Sequence, residues 1–482
     1  MSQILSAQGL GFRTAWLDLP LTRWDLLLPS WKGRAQYLEA QNQILAYQKD
    51  GFLRWARDFL VLQGVVGFSP EAWSAYERSG YALWSLPASG VFPSPEAAHQ
   101  AVQGLAEAMA LLHKQAQASQ PLEGEGFIGL LQKVLGAKAT LRQEPHNGPL
   151  PLRAISPAEI EKTFSALLSE VENQLKAGVS PIAVAAWAHH ALSQIRPFAD
   201  GNARAAFLLT QYILWRGEIP GWYLKPTQRV TYYQALQEAD KGALQLWGDL
   251  FLTGIQQALL TALSWEHPPL GNLEENIQVF NQRFSDWRSR HSRERSQRIM
   301  NHRYMVFDYV EEILRKIANE LDEKLKVEEG RGTRALVAKA YPDSPYYYQF
   351  TTDIIEYARR HGYYFNRGLP RGWFKLKFSL SANKKYQLVF SLHHAGHDDS
   401  TLVIGAFLHF LEPLKYQQKR ARRRRSPRRR EKAIYLFAPL PFPSTPLAFS
   451  IEKDPQPAWN LLNAYIQQHV VQAIGLLANE IY

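Results

Sequence analysis

Four residues near the middle of the chain have the types and the spacing of a phosphate site. Asp200, Gly201 and Asn202 stand directly before an apolar run, and Arg204 lies one helical turn further on. A helix N-terminus offers free N–H groups and partial positive charge to an anion, and glycine lets the backbone approach it. Asp200 could hold Mg²⁺ beside phosphate oxygens, and Arg204 could clamp one of them. Taken alone, the same residues are also typical of an ordinary helix cap.

Two helices must position this loop. The sequence predicts one from Pro181 to Ile195, apolar on nearly all sides and therefore buried, and one over residues 202–216. Similar patterns predict most of residues 1–95 to be helical. Further helices are predicted at 96–113, 156–176 and 230–263, the last range containing one or two of them.

The second half of the chain has a different pattern. Helices are predicted at 297–326, 352–361 and 459–482, and period-two alternation or short apolar runs predict strands at 373–378, 386–392, 401–410 and 433–437. This half is therefore expected to be an α+β domain with an antiparallel sheet. The sequence predicts a helical N-terminal region at 1–95, a core domain at 96–265, a linker at 266–295 and a basic domain at 296–482.

Charge separates the two halves. Residues 271–482 hold 34 Lys and Arg against 22 Asp and Glu, a balance of +12, whereas residues 1–270 have a balance of −1. This asymmetry indicates two units with different partners. The chain has no cysteine, which excludes disulfides, thiolate metal sites and cysteine nucleophiles. With neither a secretory pattern nor an apolar run long enough for a bilayer, the predicted location is the cytoplasm.

The segment Arg196-Pro-Phe-Ala-Asp-Gly-Asn-Ala-Arg-Ala-Ala-Phe207 resembles the Fic (Fido) motif H-x-F-x-[DE]-G-N-G-R-x-x-R, and the similarity extends over about residues 80–260. Most Fic proteins transfer AMP from ATP to a hydroxyl of a protein. The resemblance implies a mainly helical domain with a small flap hairpin. It also implies that Phe198 anchors the loop, Asp200 holds Mg²⁺, Gly201 and Asn202 form the anion nest, and Arg204 binds phosphate. ATP or another nucleotide with Mg²⁺ is the expected ligand.

Three motif positions depart from the family. The general base, a histidine in the family, is Arg196, and a guanidinium keeps its proton and offers no lone pair. Ala203 replaces a glycine, which puts a close phosphate approach in doubt. Phe207 replaces the last arginine, so the contact to the γ-phosphate is lost. These changes predict an impaired catalyst.

A second motif has decayed in parallel. Many Fic proteins carry an inhibitory [ST]-x-x-x-E-[GN] segment whose glutamate pairs with that last arginine. Here Ser85 and Gly90 stand at the right offsets, but Ser89 occupies the glutamate position. Glutamate and arginine are thus missing together, as expected once the active site no longer needs restraint.

Two further features belong to the resemblance or lie beside the motif. The family docks its protein target on a flap, for which the candidate is Lys138–Ile155, turning at Asn147-Gly148. His189 and His190 precede the motif by almost two turns. We expect them to be structural, hydrogen-bonded groups of a buried helix, not a replacement base.

The basic half offers two weaker signals. Ten of the fourteen residues at 419–432 are basic, a density that predicts an unstructured loop, centred on Arg422, Arg423, Arg424, Arg425, Arg428, Arg429 and Arg430. It is either simply solvated or a contact for nucleic acid or an acidic protein. His393, His394 and His397 have the residue type of metal ligands in what is expected to be a loop between strands.

Three functions remain open on the sequence. The first is a catalytically impaired Fic protein that acts as a nucleotide-binding or regulatory module. The second is an active nucleotidyl- or phosphotransferase with non-standard chemistry, supported by the retained Asp200, Gly201, Asn202 and Arg204. The third is a nucleic-acid-associated protein that acts through its basic half.

Overall fold

A computed structural model of the chain describes residues 10–17, 26–87, 89–135, 140–144, 155–266, 277, 280–281, 284–285, 293–324, 334–379, 385–397, 399–413 and 435–479. The chain consists of two compact units, Met1–Pro268 and Pro269–Tyr482. This division falls inside the stretch 266–295, where the sequence predicts a linker. Within the described residues, no helix has both the length and the apolar character needed to span a bilayer.

In its described residues, the first unit is helical apart from one two-stranded ribbon. Its helices and strands follow in this order: α1 (Leu28–Ala40), α2 (Ile44–Gln63), β1 (Gly67–Phe68), α3 (Pro70–Arg78), β2 (Val91–Phe92), α4 (Pro95–Gln117), α5 (Gly124–Leu135), α6 (Pro157–Lys176), α7 (Pro181–Ile195), α8 (Asn202–Arg216), α9 (Arg229–Asp240) and α10 (Gln245–Ser264).

Local sequence sets several of these helix starts. Ser69 and Ser94 each cap a helix through a side-chain oxygen, which accepts from the N–H group three residues on, and each is followed by proline at the first helical position. Both features satisfy or remove N–H groups that a helix leaves unpaired. The sequence predicted the second of these helices to begin at residue 96, one residue after its observed start at Pro95, and gave no start for the first.

The helices that carry the motif form the centre of the first unit. α8 packs along α7 and α4, and α6 also packs on α7. Twelve of the fifteen residues of α7 are buried, which confirms the prediction of a helix enclosed on nearly all sides. Trp222 and Trp247 pack around it, with ring centroids 6.0 Å apart. Such dense aromatic packing gives the motif a rigid support.

The second unit is an antiparallel sheet with helices. Its elements are α11 (Arg293–Lys324), β3 (Arg334–Ala340), α12 (Thr351–His361), β4 (Gly372–Ser379), β5 (Lys385–His394), β6 (Thr401–Pro413), β7 (Tyr435–Leu440), β8 (Leu447–Ser450) and α13 (Trp459–Asn479). The strand order is β3-β4-β5-β6-β7, and β8 also pairs with β6. The structure thus confirms both predicted fold classes: a mainly helical domain and an α+β domain with an antiparallel sheet.

Two strands of this sheet, β3 and β8, were not predicted, nor were β1 and β2 of the first unit. β3 reads Arg-Ala-Leu-Val-Ala-Lys-Ala, a composition that suits a helix equally well, and its strand conformation comes from pairing with β4 along its whole length. β8 is four residues long and pairs with β6 from Thr401 to Ile404. In both cases the partner strand, not the local sequence, decides the conformation.

The expected loop around His393 and His394 is instead the end of β5, so that prediction was wrong. Both histidines are fully buried, and both rings are hydrogen-bonded: Nε2 of His393 lies 2.7 Å from the Tyr363 hydroxyl, and Nε2 of His394 accepts from Nε of Arg303 at 3.0 Å. Burial lowers the pKa of His393 to about 3. Among the described residues, no three His, Asp or Glu side chains form a group suited to a metal ion.

Candidate nucleotide-binding loop

The loop between α7 and α8 begins at Arg196, which ends α7 in a left-handed conformation with φ of 44°. Its N–H donates to the main-chain oxygen of Leu192 at 3.0 Å, closing the last turn. A positive φ is uncommon for a residue other than glycine, although His, Asn and Asp adopt it more readily than most. The bend turns the chain away from the axis of α7 and into the motif.

Phe198 fixes the middle of the loop. Its side chain is fully buried and meets the ring of Phe164 edge-on, with centroids 5.5 Å apart. The Asn202 side chain clamps its backbone, because Oδ1 accepts from the Phe198 N–H and Nδ2 donates to the Phe198 oxygen, both at 2.8 Å. The anchoring role that the resemblance implied for Phe198 agrees with this packing. Because both polar atoms of the Asn202 side chain bond to the loop, only the backbone N–H of Asn202 could contribute to an anion nest.

A short strand pairing holds the loop from outside. Leu141 and Phe198 form an antiparallel bridge. On either side of it, the Arg142 N–H donates to the Pro197 oxygen at 2.9 Å and the Ala199 N–H donates to the Thr140 oxygen at 3.1 Å. The motif is thus tied to residues more than fifty positions earlier in the chain.

The Arg142 side chain strengthens this attachment. Its guanidinium is buried and donates to three main-chain oxygens: those of Arg196 at 2.9 Å, Glu144 at 2.9 Å and Ile155 at 2.8 Å. Burial lowers the pKa of Arg142 from its ordinary value. Sequence analysis missed this residue, and the only available signal was its place just before the predicted flap turn.

The phosphate-binding candidates meet at the start of α8. Gly201, with φ of 80°, is the N-cap, and its N–H donates to Oδ1 of Asp200 at 2.6 Å. The Arg204 guanidinium donates through Nη2 to Oδ2 of Asp200 at 3.2 Å. The Asp200 side chain is 56% exposed and that of Arg204 13%. The predicted metal ligand and the predicted phosphate clamp therefore pair with each other.

This arrangement fits a nucleotide phosphate with Mg²⁺. Arg204 has five N–H donors, and one contact to Asp200 leaves others for a phosphate oxygen. Asp200 is a single exposed carboxylate, which suffices for an ion held mainly by phosphate oxygens. Ala203 occupies the second helical position and is partly exposed. Its side-chain methyl group occupies a position where the family motif has glycine, which has no side chain.

The Arg196 side chain has polar neighbours, but it cannot act as a general base. Its Nε donates to the main-chain oxygen of Ser193 at 3.3 Å. Burial lowers the pKa of Arg196, while the nearby Asp240, Tyr233 and Tyr232 raise it. The ordinary pKa of arginine is so high that the side chain stays protonated at neutral pH.

The last motif position points away from the loop. Phe207 is fully buried and stacks on Phe59, with ring centroids 4.2 Å apart and planes 15° from parallel. The position that carries a phosphate-binding arginine in the family motif is therefore part of the core of this chain.

A model of the Fic/DOC family matches residues 126–214. The chain therefore contains a Fic/DOC domain. Two similar proteins are named protein adenylyltransferase Fic: one from Nematostella vectensis, 28% identical over 30% of this chain and 36% of its own length, and one from Culex quinquefasciatus, 38% identical over 17% of each. The chain thus spans about a third or less of these relatives.

Two solved Fic structures also resemble the chain. A Fic domain containing signaling protein from Bacteroides thetaiotaomicron has a TM-score of 0.41 at 16% identity, over 49% of this chain and 96% of its own. Fic-1 from Caenorhabditis elegans has a TM-score of 0.39 at 19% identity, over 49% and 70%.

Outside the Fic motif loop, the residues proposed for an inhibitory segment make local contacts. Ser85 ends a short 3-10 turn, where its hydroxyl bonds to Ser79 at 2.8 Å. Gly90 has φ of 80°, and its oxygen accepts from the Ser69 N–H at 2.7 Å. Ser89 lies in the bend before β2 and is exposed. An inhibitory ancestry for this segment stays a prediction.

The histidines of α7 are structural groups, as predicted. His189 is fully buried, with Nδ1 2.8 Å from the Thr210 hydroxyl and Nε2 2.9 Å from the Tyr232 hydroxyl. Burial, together with the nearby His190, lowers the pKa of His189 to about 3. His190 bonds to Asp240 at 2.9 Å.

Two predicted regions fall outside the described residues. These are the flap turn at Asn147-Gly148 and the basic run 419–432 with its seven central arginines. Their proposed contacts, a protein target for the first and nucleic acid or an acidic partner for the second, stay predictions.

Proposed function

We propose that the Fic/DOC domain of this chain binds ATP or another nucleotide with Mg²⁺ and does not transfer AMP efficiently, so that it acts as a regulatory module. The observation that carries the proposal is Arg196 at the end of α7, where the family motif has its catalytic histidine. The proposed cellular site is the cytoplasm.

The chemical argument concerns one proton. AMP transfer to an alcohol requires a base that takes the hydroxyl proton near neutral pH. A guanidinium has five donors and no acceptor, so Arg196 cannot take it. Nor does the buried helix supply a substitute, because His189 is fully enclosed and its two ring nitrogens face hydroxyl groups.

Nucleotide binding needs fewer groups, and these are present. The N-terminus of α8, the left-handed Gly201 and the Arg204 guanidinium would hold phosphate oxygens. Asp200 would hold the Mg²⁺, which neutralises phosphate charge when bound. Phe207 gives no phosphate contact, so we expect weaker affinity for the terminal phosphate than a complete motif would provide.

The target is proposed from the relatives. Two of them are named protein adenylyltransferases, so a protein hydroxyl would be the acceptor in any active ancestor of this domain. A partner protein docked at the flap 138–155 is the corresponding proposal here. The module would then bind its target without modifying it.

One assay tests the proposal. The full chain is incubated with Mg²⁺ and ATP labelled at the α-phosphate, beside Arg196→His and Arg196→Gln variants. Histidine accepts a left-handed backbone comparatively well, so the first variant should fold. The Arg196→Gln variant also lacks the guanidinium, but glutamine cannot act as a base, so this variant is the control for Arg196→His. We expect protein-bound label from Arg196→His alone.

The second candidate function is a working transferase with non-standard chemistry. It is favoured by the intact contacts among Asp200, Gly201 and Arg204. If the unmodified chain transfers label and an Asp200→Asn variant does not, the chain is an active transferase. That result would overturn the proposal that catalysis is impaired. The third, nucleic-acid binding through 419–432, would show as steeply salt-dependent affinity that disappears when this run is deleted.

A further inference from the structure

A partly open cavity of about 560 Å³ lies in the first unit, at the end of α8 opposite to the motif loop. Its wall is formed by α1, α2, the C-terminal end of α4 and the segment that leaves α8 at Trp215 and Arg216. A helix rises about 1.5 Å per residue, so roughly 20 Å of α8 separates the cavity from Asn202. The cavity is therefore distinct from the candidate nucleotide site, and its volume suits a small molecule.

One face of α2 lines this cavity. Its lining residues recur at intervals of three and four, which places them on the same side of the helix: Ile44, Gln48, Gly51, Phe52 and Trp55. Gly51 lies inside the helix, where glycine is less stable than alanine. A Cβ added at Gly51 would meet no atom within 4 Å. The wall is thus open at a position where any other side chain would project from α2.

Aromatic rings line the apolar part of the wall. Phe52, His113 and Trp215 pack against one another, with ring centroids between 5.0 and 5.6 Å apart. Trp31 packs on Tyr47 with centroids 5.6 Å apart. Rings held by such contacts offer fixed, flat surfaces to a planar ligand.

The wall also carries polar groups that the protein leaves unpaired. In the described part of the chain, neither the Gln48 amide nor the His113 imidazole makes a hydrogen bond. The Tyr47 hydroxyl and Nε1 of Trp55 are buried and lack a partner among the same residues, although buried polar groups are normally bonded. Burial lowers the pKa of His113 to about 4, so at neutral pH its ring has one donor and one acceptor.

The charged side chains at the cavity do not select an ion. Lys32 pairs with Glu218 at 2.6 Å, and Arg216 pairs with Glu172 at 3.1 Å. The remaining charged residue of the wall, Glu39, is exposed to solvent. Positive and negative groups therefore balance, which favours a ligand without net charge.

We propose that this cavity binds a neutral, planar heteroaromatic molecule that both donates and accepts hydrogen bonds. Its ring lies against the aromatic wall, and its polar atoms bond to Gln48 and His113. The proposal does not depend on nucleotide binding at the motif loop, because the two sites share no residue.

Saturation-transfer NMR titrations with the full chain at pH 7.5 test this with three probes of nearly equal shape. Benzimidazole has a ring donor and a ring acceptor, indole has the donor alone, and indene has neither. We expect benzimidazole to bind most tightly and indene most weakly, with a loss of about 3- to 10-fold for each missing hydrogen bond. The proposal is overturned if benzimidazole does not bind or if indene binds at least as tightly.

Gly51→Leu locates the site, because its side chain would fill the cavity. Gly33→Leu is the matched control: Gly33 is an exposed glycine inside α1, outside the cavity wall, and an added Cβ there also meets no atom within 4 Å. Leucine is the better helix former, so both variants should melt no lower than the unmodified chain. We expect Gly51→Leu to lose benzimidazole binding and Gly33→Leu to retain it. A folded Gly51→Leu chain that still binds would refute the assignment.

His113→Phe separates polar recognition from shape and decides the matter if Gly51→Leu does not fold. Phenylalanine keeps an aromatic ring beside Trp215 but has no ring donor or acceptor. Benzimidazole should bind this variant about 3- to 10-fold more weakly, while indene binds it as it binds the unmodified chain. Unchanged benzimidazole affinity, or an equal loss for both probes, would show that His113 does not recognise a polar atom of the ligand.

Discussion

The guanidinium of Arg142 donates through Nε to the main-chain oxygen of Arg196 at 2.9 Å. This bond joins a residue inside the predicted flap, 138–155, to the position where the Fic motif has its catalytic histidine. Two further bonds from the same guanidinium reach the main-chain oxygens of Glu144 and Ile155. One buried side chain therefore links the motif loop to two residues of the predicted flap, Glu144 and Ile155.

Arg142→Lys should destabilise the first unit, because an ammonium cannot reach three oxygens in the fork geometry of a guanidinium. The expected loss is about 3 kcal/mol in the free energy of unfolding, measured by urea denaturation. Arg78→Lys is the matched control: Arg78 is exposed and makes one bond, to the Ser74 oxygen. Equal stability of the two variants would show that Arg142 does not hold the loop.

Arg204→Gln should reduce ATP affinity about 10- to 100-fold, the range for losing hydrogen bonds from a charged donor. Isothermal titration calorimetry with Mg²⁺ and ATP measures it. Arg78→Gln again serves as control, since it removes one positive charge from the same unit at a distant helix. The prediction fails if Arg204→Gln binds ATP as tightly as the control does.

Phe207→Arg should not restore a phosphate contact. Phe207 is fully buried against Phe59 and Trp222, so the new guanidinium would be enclosed among aromatic rings. We expect a loss of about 4 kcal/mol or more in the free energy of unfolding, seen as a large fall in the thermal midpoint. Phe207→Leu, which keeps the site apolar, should lose much less. A stable Phe207→Arg chain with improved ATP affinity would contradict this view of the core.

The stability of the first unit should fall as the pH decreases from 6.5 towards 4, partly through His113. Burial lowers the pKa of His113 to about 4, against about 6.5 in the unfolded chain. In this window the unfolded chain binds more protons, so the free energy of unfolding rises with pH, by at most about 1.4 kcal/mol per pH unit for one group.

His113→Phe should remove this share of the pH dependence. His113 already packs edge-on against Trp215, with centroids 5.0 Å apart, so a phenyl ring suits the site. Urea unfolding at pH 7.5 and at pH 5 gives the comparison. The variant should lose less stability between the two pH values than the unmodified chain. Identical pH dependence would mean that His113 is not enclosed in its neutral form.

Much of the motif could be predicted because its signals are local. Pro181 in the first turn of α7 and Gly201 before α8 mark where the two helices begin. The structure places the helices at Pro181–Ile195 and Asn202–Arg216, as predicted. The chemical departure at Arg196 is also local, since the identity of a side chain determines whether it can accept a proton.

Contacts between distant segments decided the rest. The three carbonyl bonds of Arg142 and the burial of Phe207 depend on how segments pack that are far apart in the sequence. In the second unit, β3 became a strand because β4 lay beside it. The meeting of Arg371 with the N-terminus of α12 joins residues twenty positions apart. The sequence by itself determined which groups are available, and the tertiary structure determined which of them meet, because burial and hydrogen bonding depend on neighbours brought together only by folding.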